Sequence, residues 1–324
     1  MNDFLKLMLC FIISFLLCSF FCKGYIYFSK KREVQQYIRK DIVETHQKKK
    51  GTPTMGGCIL IGSTLISFLL FVPKFYLNNQ MLAIIFIFLF FGIIGMMDDL
   101  FKIIYKNSDG LSAKLRLLLE LIGSLVALYL MQREQIESLS FPLIHISIPV
   151  GSFLIVYYLF VLMGTANAVN FTDGLDGLAS GLMISAILPF LIIALKDKQV
   201  EISYFIMAFI GSLAGFLRYN FNPARLFMGD VGSLSIGAVY AMIAIVLKNE
   251  LLILVSGFLF LLEIVSVILQ VGFFKLSHGK RIFKMAPIHH HFEKKGVPEW
   301  KVVMSFWMIG FILAMIASMI GVMG

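Results

Sequence analysis

The sequence predicts an all-α, polytopic integral membrane protein with ten transmembrane helices, organised as a single domain over residues 1–324. Of these residues, 59% are hydrophobic and only 15% are charged, whereas an ordinary soluble domain is about 45–50% apolar and about 25% charged. A helix needs about 20 mostly apolar residues to cross the hydrocarbon core of a bilayer. Ten segments meet this requirement approximately: 4–22, 56–73, 81–97, 115–132, 147–163, 178–195, 203–217, 232–247, 251–274 and 302–323.

The first apolar segment is predicted to be a retained helix and not a signal peptide. A signal peptide carries its positive charges before the apolar run and ends in a small-residue cleavage site. Here the basic cluster Lys30-Lys31-Arg32 follows the apolar run, and no clear cleavage site is present. The four cysteines all lie in the first two apolar segments. They are too few for a disulfide framework in this chain, so we expect them to be packing side chains.

The distribution of lysine and arginine predicts the orientation in the membrane. Cytoplasmic loops carry an excess of these two residues. The segments after the odd-numbered spans contain 21 of the 28 lysines and arginines, and the opposite side contains six. Both termini are therefore predicted to lie outside, with five cytoplasmic loops. The net charge of +9 is then a topology signal, and we predict no nucleic-acid partner.

Most of the clustered polar residues fall in the predicted cytoplasmic loops, beginning with Asp98 and Asp99 at the end of span 3. Adjacent carboxylates at a membrane boundary repel each other unless a cation or basic groups compensate. Lys102 and Lys106 follow at helical spacing, and Lys114 comes next. The aspartates are either a solvated, salt-bridged helix end or a base or metal-ligand pair whose lysines hold anionic oxygen. The spacing leaves both interpretations open.

Two glycine-rich loops add further oxygen-bearing side chains. After span 5, Asn170 is followed by Asp173 and Asp176 in the string Asp-Gly-Leu-Asp-Gly, with no lysine or arginine nearby. This string is either a double turn or a loop that binds a nucleotide or sugar. After span 7, the loop contains Asn220 and ends at Asp230, where span 8 begins. Asp230 is a candidate N-cap, or a Mg²⁺ ligand at a helix N-terminus that is directed toward phosphate.

The last predicted cytoplasmic loop contains three consecutive histidines, His289, His290 and His291. Adjacent side chains on a helix point about 100° apart, so the three cannot face one metal from a regular helix. The usual zinc-ligand spacing is also absent. We expect these histidines to recognise phosphate or to orient their loop through hydrogen bonds.

Two weaker signals lie in the first loop and in span 9. In the first loop, Lys49 belongs to a lysine triplet that could act only as a topology determinant, whereas the stiff turn around Thr54 has hydroxyls suited to an anion. In span 9, Glu263, Ser266 and Gln270 form a polar stripe on one helical face. Ionisable groups at such depth usually face the bundle or a cavity. We expect Glu263 to make a helix–helix hydrogen bond, and Gln270 to reach a ligand.

Taken together, the loops are rich in aspartate and lysine and lack zinc-ligand spacing, which indicates Mg²⁺ and phosphate chemistry. These residues also resemble a known family. The chain is similar to phospho-N-acetylmuramoyl-pentapeptide transferases over essentially its whole length. Motifs shared with the wider superfamily of polyprenyl-phosphate sugar-1-phosphate transferases are Asp98-Asp99, Asn170–Gly177 and Asn220–Ser233, and the string Met285–Glu293 is specific to the muramoyl branch. Phe171 stands where leucine is common in the family.

The resemblance implies a reaction and its partners. UDP-MurNAc-pentapeptide and undecaprenyl phosphate would give undecaprenyl-diphospho-MurNAc-pentapeptide, known as lipid I, and UMP. The reaction would depend on Mg²⁺ and take place at the bacterial inner (cytoplasmic) membrane as a step of peptidoglycan synthesis. Whether the chain forms a homodimer is left open.

The resemblance also implies roles for individual residues. Asp98 would activate the lipid phosphate with Asp99 as its partner, Asp230 would hold Mg²⁺, and His289 would be catalytic. The remaining predicted substrate-binding residues are Lys49, Thr54, Lys102, Lys106, Lys114, Asn170, Asp173, Asp176, Asn220, Phe227, Gln270, His290 and His291. Because a phosphate with a second pKa of about 6 is mostly dianionic at pH 7, a strong base is not obviously needed. A covalent phospho-aspartate route through Asp98 is the rival mechanism.

Three other functions are consistent with parts of this pattern. The first is a transferase of the same superfamily that uses UDP-GlcNAc. The second is an ion-coupled transporter in which Glu263 and Asp98 form a path, although no internal repeat of the kind common in transporters is evident. The third is an intramembrane metalloprotease that uses the histidines.

Overall fold

The computed structural model describes residues 3–32, 51–72, 78–105, 110–131, 138–141, 146–149, 151 and 153–323. Within these residues the chain is almost entirely helical. The α-helices are α1 (Asp3–Arg32), α2 (Gly57–Phe71), α3 (Asn79–Ile104), α4 (Ala113–Leu130), α5 (Phe153–Thr172), α6 (Leu178–Lys196), α7 (Val200–Asn220), α8 (Gly229–Val246), α9 (Ile253–Ser256), α10 (Phe258–Leu276), α11 (Ile288–Glu293) and α12 (Glu299–Met323).

Eight of the described helices are long and apolar enough to cross a membrane: α1, α3, α5, α6, α7, α8, α10 and α12. Helix α2 is apolar but has only 15 residues, and α4 carries the charged residues Lys114, Arg116 and Glu120. Each of the ten predicted segments overlaps one of these ten helices. The prediction of a helical, multi-pass membrane protein is therefore confirmed at this level.

The structure corrects two predicted boundaries. The fifth span was predicted to begin at residue 147, but a two-stranded antiparallel hairpin of β1 (Ser138–Phe141) and β2 (Ile146–Pro149) precedes α5. Both strands alternate polar and apolar residues, which is the strand period of two and not the helix period. The ninth predicted span, 251–274, is interrupted: a 3₁₀ turn at Glu250–Leu252 and the short α9 precede Gly257, and α10 begins after it.

Several helices also extend beyond the predicted spans into the motifs. Helix α3 continues to Ile104, so Asp98 and Asp99 lie on a helix and not at its end. Helix α5 continues to Thr172 and includes Asn170. A helix that continues past its apolar stretch holds these side chains at a fixed orientation, so the polar motifs are more rigid than loops would make them.

Helix α8 lies at the centre of the bundle. In its apolar window 94% of the residues are buried, compared with 22% in α1 and 28% in α10. Small residues let the neighbouring backbones approach it closely. A Cβ atom at Gly95 of α3 would lie under 3.0 Å from the Asp230 carbonyl oxygen, and one at Gly57 of α2 would meet the Gly232 backbone equally closely. These contacts place α2 and α3 against the first turn of α8.

At the opposite end of α8, Glu250 is buried in the 3₁₀ turn, outside the spanning helices, with an exposure of 2%. Burial is the largest cause that raises the pKa of Glu250 to about 7, and its own backbone, Tyr158 and Lys248 offset this only in part. The folded state therefore binds a proton that the unfolded chain has already released near pH 5. Stability contributed by protonated Glu250 is present at low pH and is lost as pH rises through about 7.

Glu250→Gln is expected to stabilise the protein above neutral pH, because the amide needs no proton to remain neutral when buried. In thermal unfolding of the detergent-solubilised protein, the variant should gain at least about 2 °C over wild type at pH 8 and show a smaller difference at pH 5. Parallel pH dependence in the two proteins would show that another group is responsible.

Candidate functional site

A cluster of charged side chains surrounds the N-terminus of α8. Asp98 and Lys102 come from α3, Asp230 from the first turn of α8, and Asn170 from the last turn of α5. The Lys102 ammonium contacts both Asp230 and Asp98, and the second of these contacts measures 2.5 Å from Nζ to Oδ2. Asn170 Nδ2 donates to Asp230 Oδ1 at 2.6 Å and to Ser233 Oγ at 2.8 Å. Three helices that are distant in sequence thus meet at one polar site.

The two carboxylates of this cluster interact directly with each other. Asp98 is 2% exposed, and its Oδ1 accepts the Leu111 N–H at 2.7 Å. Two carboxylates in contact repel each other unless a cation compensates their charge. Lys102 supplies one positive charge beside two carboxyl groups, so ionisation of both leaves the cluster with a net negative charge and an affinity for further cationic charge.

Asp99 has a different role in the structure from its neighbour. Its Oδ2 accepts the Val231 N–H at 3.2 Å, and the Asp230 N–H also interacts with it. The first N–H groups of a helix have no partner within the helix, and a carboxylate from another helix satisfies them here. Asp99 therefore caps α8 and orients Asp230, while Asp98 faces the charged cluster. The sequence prediction that Asp99 acts in catalysis stays a prediction.

The first and fourth predicted loops pair through their backbones. Gly56 N donates to Phe227 O and Gly57 N to Met228 O, both at 2.9 Å, and Phe227 N donates to Pro53 O at 2.8 Å. Thr54 lies in this pairing with an exposure of 2%, and its carbonyl oxygen accepts the Tyr25 hydroxyl at 2.9 Å. Phe227, which is half-buried, is held by these bonds beside the charged cluster.

The turn after α5 is tied to the loop after α7. Asp176 Oδ2 accepts the Ala224 N–H at 2.9 Å and the Asn222 amide at 3.2 Å. Asn220 is 2% exposed, its Oδ1 accepts the Ser180 hydroxyl at 2.9 Å and its Nδ2 donates to Leu226 O at 3.1 Å. Asp176 and Asn220 thus hold the shape of the two loops. Asp173 lies in the same turn and is half-buried.

The three histidines point to three different partners, as expected of residues that orient a loop. His289 Nδ1 lies 3.1 Å from Glu263 Oε1. His290 Nδ1 lies 2.7 Å from Glu293 Oε2. His291 Nδ1 accepts the Lys284 N–H at 3.0 Å, and desolvation, followed by the charges of Lys295 and Lys284, lowers the pKa of His291.

The remaining predicted site residues lie at the margin of the site or outside the described residues. Gln270 Oε1 accepts the backbone N–H groups of Ile282 and Phe283. Lys114 is exposed in the first turn of α4. Lys49 and Lys106 fall outside the described residues, so their predicted contacts remain predictions.

Sequence reasoning missed one buried polar network beside the site. Asn167 Nδ2 donates to Glu120 Oε2 at 2.7 Å, and Arg116 donates to Asn167 Oδ1 at 3.0 Å. Arg116 and Glu120 are four residues apart on α4, and their side chains form an ion pair at 3.5 Å. Asn167 was predicted to lie in a loop. The signal that could have placed it is its position three residues before Asn170 on a continuing helical period.

The donor set of the cluster fits Mg²⁺ better than zinc. Mg²⁺ is usually bound by one or two carboxylates together with waters and substrate phosphates, and the cluster offers Asp230 and Asp98 next to the amide of Asn170. Within the described ranges, no three histidine, cysteine, aspartate or glutamate side chains form a group that could enclose a metal. The carboxylates and the amide are oxygen donors, and the pair of aspartates requires more positive charge than Lys102 provides.

Comparison with known proteins agrees with this site. A family model described as glycosyl transferase family 4 matches residues 81–248, which contain the charged cluster. A phospho-N-acetylmuramoyl-pentapeptide-transferase of Listeria monocytogenes serovar 1/2a is 42% identical over 313 residues, covering 95% of each chain. The chain belongs to the phospho-N-acetylmuramoyl-pentapeptide-transferase family.

Further members of this family are similar over the same length. The transferase of Listeria welshimeri is 41% identical, with 95% of each chain covered, and that of Bacillus thuringiensis is 41% identical, with 96% of each chain covered. The family identified from the sequence motifs is therefore confirmed, as is the prediction that the protein is an enzyme of the transferase class. The transporter and metalloprotease alternatives find no support among these relatives.

Lys102→Met is expected to destabilise the protein strongly, because it leaves Asp98 and Asp230 in contact without their cation. Removing one partner of a buried ion pair costs about 3–5 kcal/mol. The loss should be largely reversed in the double variant Asp98→Asn/Lys102→Met, since the carboxylate repulsion is then removed. Thermal unfolding in detergent measures both, and the exposed Lys301→Met serves as the control. Equal stability of the single and double variants would contradict the charge balance described here.

Proposed function

We propose that this enzyme transfers phospho-MurNAc-pentapeptide from UDP-MurNAc-pentapeptide to undecaprenyl phosphate, giving lipid I and UMP. The name of the relatives and the muramoyl-specific string Met285–Glu293 support this donor. The observation that supports the chemistry is the convergence of Asp98, Asp230 and Lys102 at the N-terminus of α8, where phosphate-bearing substrates can be held.

We further propose ten membrane spans, with both termini outside and the charged cluster at the cytoplasmic face of the bacterial inner membrane. The ten helices that overlap the predicted spans support the count, and the excess of lysine and arginine in the odd-numbered loops supports the orientation. The cluster joins α3, α5 and α8 at their ends next to those loops, where a nucleotide donor has access from the cytoplasm and a lipid acceptor from the bilayer.

The chemical problem for the chain is to bring two phosphate-bearing substrates together. Lys102 lies between Asp98 and Asp230 and can turn toward an incoming phosphate oxygen while remaining charged. Positioned cations stabilise the charge on the transferred phosphoryl group. Asp98 is proposed to accept a proton from the acceptor phosphate or to hold that phosphate in line. The N-terminus of α8 provides a favourable potential for anions at the same point.

We propose Mg²⁺ as the cofactor, held by Asp230 with Asp98 beside it. When bound, Mg²⁺ would neutralise charge on the diphosphate and on the leaving UMP. Asn170 orients the Asp230 carboxylate through its 2.6 Å hydrogen bond, and Asp99 fixes the backbone that carries it. The chain thus supplies an oriented carboxylate that is supported on both sides.

The nucleotide part of the donor is proposed to bind along the turn after α5 and the loop after α7. Phe227 offers an aromatic ring for stacking, and Asp173 lies in the turn opposite. Asp176 supports both loops, and Gln270, whose carbonyl holds the 282–283 backbone, is proposed to reach the donor through its amide N–H₂. Lys49, Lys106 and Lys114 are proposed to contact phosphates, and His290 and His291 to contact the sugar-peptide.

Two aspartate variants separate metal binding from acceptor activation. Asp230→Asn is expected to lower Mg²⁺-dependent UMP release at least about 100-fold, as is typical when one key electrostatic group is lost. Asp98→Asn should also lower the rate but leave binding of UDP-MurNAc-pentapeptide, measured by calorimetric titration, within about threefold of wild type. A near-normal Mg²⁺-dependent rate for Asp230→Asn would remove the metal assignment.

The donor is identified by comparing UMP release and lipid product with two labelled donors, UDP-MurNAc-pentapeptide and UDP-GlcNAc. We expect product only with the first, and none when either undecaprenyl phosphate or Mg²⁺ is omitted. Transfer of GlcNAc-1-phosphate, without transfer from the muramoyl donor, would assign the protein to the sister activity. UMP release that persists without acceptor would instead support the covalent route through Asp98.

A further inference from the structure

The polar stripe on α10 holds the histidine-bearing segment that follows this helix. At the C-terminal end of the stripe, Gln270 Oε1 accepts the backbone N–H groups of Ile282 at 3.2 Å and Phe283 at 2.9 Å. At its N-terminal end, Glu263 Oε2 accepts the His289 N–H at 3.5 Å. Glu263 therefore makes the predicted helix–helix hydrogen bond, and its partner is the short helix α11. These hydrogen bonds hold the segment that follows α10 against the polar face of that helix.

Glu263 and His289 form a buried pair within this contact. Both side chains have 0% exposure, and Nδ1 of His289 lies 3.1 Å from Oε1 of Glu263. Ionisable side chains at such depth need a partner, because an isolated charge without water is very costly. A carboxylate beside one ring nitrogen sets the orientation of an imidazole and the role of its other nitrogen.

The other ring nitrogen of His289 faces the turn after α5. A Cβ atom at Gly174 would collide with Nε2 and would lie 2.9 Å from Cε1. Both ring nitrogens are buried, and neither has a hydrogen-bond partner among the residues that the structure describes, although Nδ1 lies in contact with Glu263. The imidazole therefore packs directly against the backbone of the Asp173-Gly174 step, and only glycine at position 174 permits this approach.

We propose that Glu263 and His289 are positioning residues that set the Asp173–Gly177 turn for binding of the donor nucleotide. The inference rests on the proposed nucleotide role of that turn. The carboxylate of Glu263 orients the imidazole, the imidazole supports the turn at Gly174, and the turn presents Asp173. His289 would then act through the turn and not on the reacting phosphates, in contrast to the catalytic role expected from the sequence resemblance.

The contact of Glu263 and His289 with the turn at Gly174 is called the clamp here. Three variants test it, each by a different change. Glu263→Gln removes the charge that orients the ring, His289→Asn keeps a polar group near Nδ1 but removes Nε2, and Gly174→Ala leaves both residues intact and displaces the turn. Each should raise the KM for UDP-MurNAc-pentapeptide by about tenfold, while kcat stays within about threefold and the KM for undecaprenyl phosphate is unchanged. Calorimetric titration of the donor without acceptor should show the same loss of affinity.

The pH profile of kcat separates positioning from acid–base catalysis. A clamp predicts an unchanged profile in all three variants, because no proton passes through His289. The double variant Glu263→Gln/His289→Asn should bind the donor no more weakly than whichever single variant has the lower donor affinity. The effects of two substitutions in one contact are not additive. Glu250→Gln, another buried carboxylate outside this contact, is the matched control and should retain the wild-type donor KM.

Two results would overturn the clamp. One is a large fall in kcat with a lost limb of the pH profile at unchanged donor KM, which would make His289 a reacting group. The other is wild-type donor affinity in Gly174→Ala, which remains informative if a buried-pair variant does not fold. A wild-type protein without turnover on the muramoyl donor would instead contradict the proposed function. This outcome is distinguishable from failure of the clamp, because the control variant Glu250→Gln would then also show no turnover.

Discussion

The site depends on the contact of two carboxylates and one ammonium group at the first turn of a buried helix. Asp98 and Asp230 are brought together although they repel each other, and Lys102 compensates only part of their charge. Such an arrangement is stable only if the surrounding helices hold it rigidly. The close approach of α3 to α8 at Gly95 provides this rigidity. The remaining negative charge suits a divalent cation that arrives with its phosphate-bearing substrate.

Around this contact, polar residues divide into those that hold the protein structure in place and those that form the charged cluster itself. Asp99, Asp176 and Asn220 form hydrogen bonds within the protein. Asp99 caps a helix, Asp176 joins two loops, and Asn220 is a buried amide that bonds to the backbone. Asp98, Asp230 and Lys102 instead contact one another across two helices, α3 and α8. The two groups differ physically, because loss of a support would disturb the geometry of the site whereas loss of a cluster residue would remove charge from it.

The histidine segment shows which part of a sequence signal is local and which part depends on packing. The three consecutive histidines each contact a different partner, as their helical spacing predicted, because adjacent side chains on α11 diverge by about 100°. The polar stripe of α10 could be recognised from its spacing. Its partner could not, since Glu263 meets a residue 26 positions later in the chain and the contact requires α11 to fold back onto α10.

The sequence by itself determined the membrane class, the approximate helices, the family and the set of polar motifs, because apolar length, charge asymmetry and motif strings are local properties. It placed Asp98-Asp99 at a helix end and Asn170 in a loop, whereas the structure continues α3 and α5 through them, and it missed the hairpin before α5. Only the tertiary structure decided which aspartate caps a helix and which faces the cluster. Neighbouring residues such as Asp98 and Asp99 point to different sides of a helix, and the side that becomes the site depends on which distant glycines allow α3 and α8 to touch.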